Sequence, residues 1–542
     1  MLQVIPLSSL VKVFSDEKPT AKPFDRLSLF RNEKASVQIA VCSDADCSAT
    51  LRIDSPLGDM LHAYVVREIY AGMPVAKTQD DYTLRNKPGV FPELLCPLDG
   101  ALTLRAGEWR SIWLEVVPNP LLPVGVQTLD ATLDGACGQA QVRFTLDVID
   151  ASLPEQTLIY TNWFHTDCIA THYGVPVFSE RYWELVERYL RVAREYGMNM
   201  VLTPLFTPPL DTKIGKERET VQLVGVEYRD NTYTFDFSRL DRWIDMCDRV
   251  GIEYLEMSHL FTQWGAKRCP KIVATVDGQC KRIFGWNTRA AGKKYRAFLA
   301  AFAPQFKAYI REKGISDRIY FHVSDEPAAT MLRSYRKASE IVAQHFGEFR
   351  IFDALSDYKF YQKGLVRLPV PANDHIEPFV GKVDPLWTYY CSAQSKDVSN
   401  RFFSMPSQRN RVLGCQMYLY DVKGFLHWGY NFWYKRLSVG PVDPFTETDA
   451  GGFFPSGDSF VVYPGEDGTP LQSLRLKVFY DALQDMRALQ WAESLIGRAR
   501  VEQLVSQGTD RKITFAEYPH SDEWQLGLRE TVNDAIRAAL GK

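Results

Sequence analysis

The stretch "RIYFHVSDEPAAT", residues 318–330, decides how the rest of the chain is read. Ile319, Tyr320, Phe321 and Val323 form an apolar run of strand length, and it ends in two adjacent carboxylates, Asp325 and Glu326, followed by Pro327. Such a run reads as a buried strand. Neighbours in a regular strand point to opposite faces, so Asp325 and Glu326 reach one ligand only where the strand breaks. Pro327 supplies a break, because it donates no ladder hydrogen bond and biases the preceding residue away from helix. The plainer alternative is a helix start, with Asp325 as N-cap and Glu326 in the first turn, where the helix dipole favours acids.

Working outward, strand-like runs alternate with helical ones eight times from Thr157 onward. "LIYTNWFH" precedes a helix over 179–196, "MNMVLTP" one over 238–250, "EYLEMSHL" one over 293–313 and "IYFHVSDEP" one over 330–346. "RIFDALS" precedes a short segment, "LVRLPVP" residues 374–380, "PLWTYYCS" residues 399–420, and "GFLHWGYNFW" a helix over 473–496. Eight strand–helix repeats predict a (β/α)8 TIM-like barrel. Before Pro154, runs such as "ASVQIAV", "HAYVVREIY", "EWRSIWLEVV" and "AQVRFTLDVI" alternate with turn material and predict an N-terminal antiparallel β-sandwich. The expected division is a sandwich over 1–153, a catalytic barrel over 154–497 and a C-terminal tail over 498–542.

Composition narrows the partners. A net charge of −3 leaves no basic footprint for polyanions, and there is no long Lys/Arg run, so nucleic acid is not expected. No apolar span approaches the roughly 18 residues of a membrane helix, and the start "MLQVIPLSSLVKVF" lacks a charged, apolar leader pattern. A chain with no membrane partner, cytoplasmic by expectation, follows. The ten cysteines include no C-x-x-C and read as reduced, mostly buried thiols. No G-x-S-x-G, Walker A or G-x-G-x-x-G motif is present, and His322 with Asp325 lacks accompanying metal-ligand spacing, so neither metal nor organic cofactor is expected.

Barrel active sites lie at the C-terminal ends of the strands. Asp325 and Glu326 are therefore the candidate catalytic pair. His165, His259, His322, Tyr389, Trp428, Asn431 and Trp433 fall at or beyond comparable strand ends and are candidate substrate-binding residues. Trp264 and Trp286 join them from "FTQWGAKRCPKIVATVDGQCKRIFGWNT", residues 261–288, a long segment read as a lid or wall, or else an insertion packed on the sandwich. Flat rings suit the apolar faces of a sugar. Two neighbouring acids leaving one strand end approach from one side, unlike the usual glycosidase pair set on opposite sides of the sugar. They suit a nucleophile that belongs to the substrate, a 2-acetamido oxygen, with Asp325 orienting the amide and Glu326 protonating the leaving oxygen. A protein nucleophile such as Asp167 or Asp353, on another sugar, is the enzyme alternative; a non-catalytic carbohydrate-binding protein is the other.

"YFHVSDEP" (320–327), "GFLHWGYNFW" (424–433), "FVVYPGEDGTPLQSLRLKVFYDALQDMRAL" (460–489), and in the N-terminal part "FRNEKASVQIAV" and "KPGVFPELLCPL", resemble proteins carrying the domain of unknown function DUF4091. These are related to glycoside hydrolase family 123, the β-N-acetylgalactosaminidases. The resemblance implies a retaining exo-glycosidase acting on a terminal N-acetylhexosamine, most often N-acetylgalactosamine, with Asp325 stabilising the acetamide and Glu326 as acid/base. Tyr480 and Ala482 depart from the related pattern on a late helix.

Overall fold

The computed structural model describes residues 1–541. Eight parallel strands form a nearly closed barrel: Ile159–Asn162, Met200–Thr203, Tyr254–Met257, Ile319–Phe321, Arg350–Ala354, Leu368–Val370, Trp387–Tyr389 and Gly424–His427. Called strands one to eight in that order, one to six are each paired with their sequence neighbours, seven pairs with eight, and eight closes onto one. Strands six and seven meet only through a single parallel bridge, Ala372 to Tyr389, where the barrel is thinnest.

The two-residue period explains why the strand sequences are apolar throughout. Met200, Leu202, Tyr320, Phe352, Val370, Trp387 and Leu426 fill the barrel interior together. Their neighbours Val201, Ile319, Phe321, Ile351 and Phe425 face the helices and join the larger core outside. Interior space is tight where Gly424 on strand eight passes Trp387 on strand seven: a Cβ at 424 would fall inside the indole's van der Waals envelope.

The N-terminal strands form a seven-stranded and a five-stranded sheet, antiparallel except where Thr145–Ile149 runs parallel to Arg26–Phe30. Val37, Ile39 and Ile112 from the first sheet share one core with Leu129, Leu133 and Phe144 from the second. The seven-stranded sheet also takes two strands from late in the chain, Val462–Pro464 and Pro470–Ser473, the latter pairing with Gly89–Pro97. The helix Leu474–Ile496 follows directly, its first turn capped by the Ser473 hydroxyl. Arg475 and Lys477 on this helix form buried ion pairs with Glu93 and Glu115, each at 2.6 Å, and so fasten the sheet to the barrel. Tyr480 and Ala482 lie on the same helix, against Tyr196 and Gly414, so their departure from the related pattern is a matter of packing. The residues read as a tail carry two helices, Arg498–Val505 and Asp522–Leu540.

Two expectations change. Pairing of Cys47–Asp54 with Gly125–Gly135 brings Cys47 opposite the turn that holds Cys137, and the two are joined in a disulfide with Cα atoms 6.1 Å apart; the other eight cysteines are free thiols. The segment 261–288 is more than the lid or wall read from its sequence: it is a structured insertion, and its Trp264 lines the cavity described below. It contains the hairpin Ile272–Val276 and Gln279–Phe284, which extends a second hairpin, Gly225–Arg229 with Thr232–Asp236, into a four-stranded sheet. Among the described residues no helix is long and apolar enough to cross a membrane.

Gly424→Ala should lower the unfolding free energy by about 1–3 kcal/mol through overpacking against Trp387. Gly440→Ala, at a position with open space around it, should change it by less than about 0.5 kcal/mol. Denaturant midpoints of the two variants test the contrast.

Candidate active site

Strand four ends at Phe321, and the chain then leaves the ladder before reaching the acids. Three backbone hydrogen bonds hold the new course. The Phe261 N–H donates to the Val323 carbonyl at 3.1 Å, the Trp264 N–H to the Asp325 carbonyl at 2.9 Å, and the Glu326 N–H to the Ala354 carbonyl at 3.0 Å. Glu326 adopts φ +39°, left-handed backbone that costs a non-glycine residue about 1–3 kcal/mol. Its effect is to turn the Glu326 side chain to the same cavity as Asp325. The alternative of Asp325 as a helix cap does not hold, because the next helical turn, Ala329–Met331, begins after Ala328 without a side-chain cap.

The shared cavity holds about 120 Å³. Trp163, Trp264, Trp428 and Phe454 supply its aromatic walls, and Asp211 brings a third carboxylate. Tyr389 donates its phenolic hydrogen to Glu326 Oε1 at 2.5 Å. On the far side of Glu326 and Tyr389 a wider, more open groove of about 640 Å³ is bordered by Asp357, Tyr358, Asp374 and His375.

Of the residues expected here, Asp325, Glu326, His165, Trp264, Tyr389 and Trp428 line the cavity. Asn431 is buried behind the wall, its amide bridging the His165 N–H and carbonyl at 2.8 and 3.0 Å. His259 and His322 are buried beneath the floor, their rings stacked with centroids 4.0 Å apart. Trp433 is core, 2% exposed and packed on Tyr189, while Trp286 borders a separate small pocket beside Pro208 and Cys269.

Beneath the pair lies a buried ion stack. Glu256 on strand three, His322 after strand four and Asp353 on strand five are each 0% exposed. His322 Nε2 is 2.6 Å from Glu256 Oε1, and Nδ1 is 3.1 Å from Asp353 Oδ1. Glu256 also accepts from the Trp163 indole at 2.7 Å and the Thr161 hydroxyl at 2.5 Å. Asp353 accepts from the Val323 and Ser324 N–H groups at 3.0 and 3.3 Å, and from the Tyr335 hydroxyl at 2.5 Å. Burial opposes charge on His322, but the two carboxylates outweigh it and raise its pKa to about 9. Burial, and then the His322 charge, drive His259 the other way, well below the usual histidine range. His259, His322 and Asp353 bring ring and carboxylate atoms within 4.8 Å of one another, which is near enough to consider a metal. The stacked rings carry their lone pairs in two parallel planes and both His322 nitrogens already face carboxylates, which leaves His322 no lone pair for a metal, while neither ring nitrogen of buried His259 has a hydrogen-bond partner.

Both members of the pair are pushed above the ordinary carboxylate range. Glu326 keeps solvent-exposed surface and Asp325 is half-buried, but protein atoms crowd both carboxyls and strip much of their hydration. For Asp325 that desolvation is followed by repulsion from Glu326 and is only partly relieved by His322, and its shift is the larger. For Glu326 desolvation leads, the Tyr389 hydrogen bond opposes it, and Asp374 reinforces it. Asp211 is raised to about 6, again chiefly by burial.

The carboxylates proposed as alternative nucleophiles are both occupied. Asp167 is bound on both oxygens by Arg218 at 2.7 Å, and Asp353 is the buried base of the stack. Arg218 also faces His165 Nδ1 at 3.0 Å, and burial with that cation lowers the His165 pKa to about 3, so the ring is neutral. Sequence reasoning missed Glu256, whose signal was an acid inside the apolar run "YLEM". It also missed Asp211, Arg218 and Phe454, which come from loops where no periodicity applies.

A barrel mouth with paired acids among aromatic faces is the arrangement of a carbohydrate-cleaving hydrolase. Residues 163–492 match the glycoside hydrolase 123 catalytic domain, and the chain belongs to that family. A family 123 glycoside hydrolase from Clostridium perfringens, described for glycolipid glycan hydrolysis, has the same fold with a TM-score of 0.75 at 14% identity, over 100% of this chain and 98% of that one. A Parabacteroides merdae β-glucuronidase overlaps weakly, with a TM-score of 0.30 at 11% identity over 91% of this chain and 51% of that one. A Rhizomucor miehei family 5 mannosidase does likewise, at 0.34 and 12% over 62% and 95%. No curated protein matches the sequence.

Because the folded chain keeps Asp325 protonated at a pH where the unfolded chain has ionised it, the fold loses stability as pH rises above the unfolded pKa and toward the folded one. Asp325→Asn should remove that loss. The variant should melt about 2–4 °C above the parent at pH 7.5, with the gap closing near pH 4, in thermal melts across that range. Identical melting at both pH values would contradict a proton held by burial.

Proposed function

We propose that this family 123 glycosidase is a retaining, exo-acting enzyme that releases a β-linked 2-acetamido sugar, N-acetylgalactosamine foremost, through the substrate's own acetamide. The observation that carries the reading is the turn at Glu326, which sets Asp325 and Glu326 on one wall of one cavity. The sugar sits in the small aromatic cavity, its faces against tryptophan rings. The leaving group extends past Glu326 and Tyr389 into the wider groove, and the small volume of the cavity favours a terminal residue over an internal one. On this reading the N-terminal sheets are a sandwich that braces a (β/α)8 catalytic barrel.

Asp325 accepts the acetamide N–H and so sharpens the carbonyl oxygen, which attacks the anomeric carbon. Glu326 gives its proton to the leaving oxygen as that bond breaks. Water, deprotonated by Glu326, then opens the cyclic intermediate from the face the leaving group vacated, and configuration is retained. The occupied state of Asp167 and Asp353 favours this route over a protein nucleophile there. Asp211 is the remaining carboxylate on the cavity, and it is the residue a conventional double displacement would have to use.

Glu326→Gln should lose about 10²–10⁴-fold in kcat on substrates with poor leaving groups and much less on aryl glycosides whose leaving group needs little protonation. Equal losses on both would remove Glu326 as the acid. Asp325→Asn should cut kcat by a similar factor with KM little changed, and an unchanged kcat would remove it from the mechanism. Asp211→Asn should retain most of the chemistry, and trapping of a covalent glycosyl-Asp211 would establish the conventional route instead.

A further inference from the structure

The pair has a difficulty that its own residues do not resolve. The Tyr389 hydroxyl donates to Glu326, which favours Glu326 as the ionised member and Asp325 as the protonated one. Catalysis needs the reverse, with Asp325 free to accept an acetamide N–H and Glu326 carrying the proton. Something beneath the pair has to make ionised Asp325 affordable.

The ion stack is placed to do this. Both nitrogens of His322 face oxygens of carboxylates that already accept from other N–H and O–H donors; with both carboxylates ionised, each contact is a hydrogen bond only if that nitrogen carries hydrogen, which makes the ring doubly protonated and cationic. The remaining acceptor sites of Glu256 and Asp353 are taken up by Trp163, Thr161, Tyr335 and two backbone N–H groups, which leaves the ring little freedom to shift. The stack also touches the pair mechanically: Asp353 holds the amides of Val323 and Ser324, the two residues that lead into Asp325. The groups around the ring are Glu256, Asp353, neutral His259, Trp163 and Phe352, with Asp325 above. Among them His322 is the cation.

We infer that His322, clamped as an imidazolium between Glu256 and Asp353, is a positioning residue whose fixed charge lets Asp325 give up its proton to Glu326 when the acetamide docks. The proton leaves the Asp325 carboxyl and arrives at the Glu326 oxygen that Tyr389 does not occupy, so the pair keeps one proton and one negative charge throughout. The acetamide N–H then takes the place of that proton at Asp325. The raised pKa of His322 agrees with a charge kept through neutral pH. A buried, fully bonded ion of this kind costs no reorganisation during the reaction, which is where fixed charges act most strongly. This inference rests on the acetamide-assisted reading above.

The test is the pH profile of kcat/KM on an aryl 2-acetamido-β-glycoside, for the parent, His322→Gln and Tyr335→Phe. Loss of the cation should move the acid limb of His322→Gln upward by at least about one pH unit, a tenfold loss below the limb that recovers as pH rises. Tyr335→Phe loosens Asp353 without changing any charge, and should lower the melting temperature with the limb in place. A uniform loss in His322→Gln with an unmoved limb would reduce His322 to a structural part and overturn the inference. Should His322→Gln not fold, nitrogen NMR of the parent labelled at its nine histidines still decides: one ring doubly protonated at pH 8 supports the inference, and nine neutral rings overturn it. Asp325→Asn separates the two levels. Full activity there defeats the acetamide-assisted reading itself, whereas a crippled Asp325→Asn beside an unmoved limb in His322→Gln defeats only the role given to His322.

Discussion

Everything at the mouth of this barrel depends on one backbone turn. Consecutive residues in a strand face apart, and Asp325 and Glu326 share a cavity only because the chain quits the ladder after Phe321 and enters left-handed space at Glu326. Such a conformation survives where its surroundings over-determine it. Here the determination comes from neighbouring strand ends, through the amide bonds to Ala354, from Trp264 and from Phe261, and from Asp353 holding the two preceding amides. The sixth and seventh strands contribute less, and their single bridge places the thinnest part of the barrel beside Tyr389.

Crowding two acids in this way makes both harder to ionise, and the protein answers with buried charge of the opposite sign. His322, whose charge acts on Asp325, is held by Glu256 and Asp353, and Arg218 is paired with Asp167 and keeps His165 uncharged. Buried charges persist when each is paired and hydrogen-bonded, and these are. The same logic fastens the N-terminal sheets to the barrel through Arg475 with Glu93 and Lys477 with Glu115. A site that stores repulsion and an outlying backbone angle needs such a frame, since preorganised geometry is what mutation of a supporting residue loosens first.

The barrel was legible because burial on both faces leaves its mark on composition. Runs such as "IYF" and "VLT" admit few residues when helices cover one side and an aromatic interior the other, and all eight strands lie within the runs that show it. Adjacent acids followed by proline stand out from such a run for the same reason. What escaped was whatever depends on distance in space. Periodicity says nothing of loop 204–224, which delivers Asp211 and Arg218, nor of the pairing of Cys47 with Cys137 across 90 residues. His259, Trp433 and Asn431 occupy strand-end positions that look alike in sequence, but packing puts the first under the floor, the second in the core and the third behind the wall. Glu256 reads as an ordinary strand acid until His322 is found beside it.

The central claim is that the nucleophile belongs to the substrate, and it is tested most directly by offering the enzyme matched aryl β-glycosides that differ only at carbon two. The account predicts turnover of the 2-acetamido sugars, with N-acetylgalactosaminide ahead of N-acetylglucosaminide, and none of the 2-hydroxy counterparts, all of it lost when Asp325 and Glu326 are both replaced by their amides. Comparable turnover of a 2-hydroxy sugar would contradict it and would require a nucleophile from the protein.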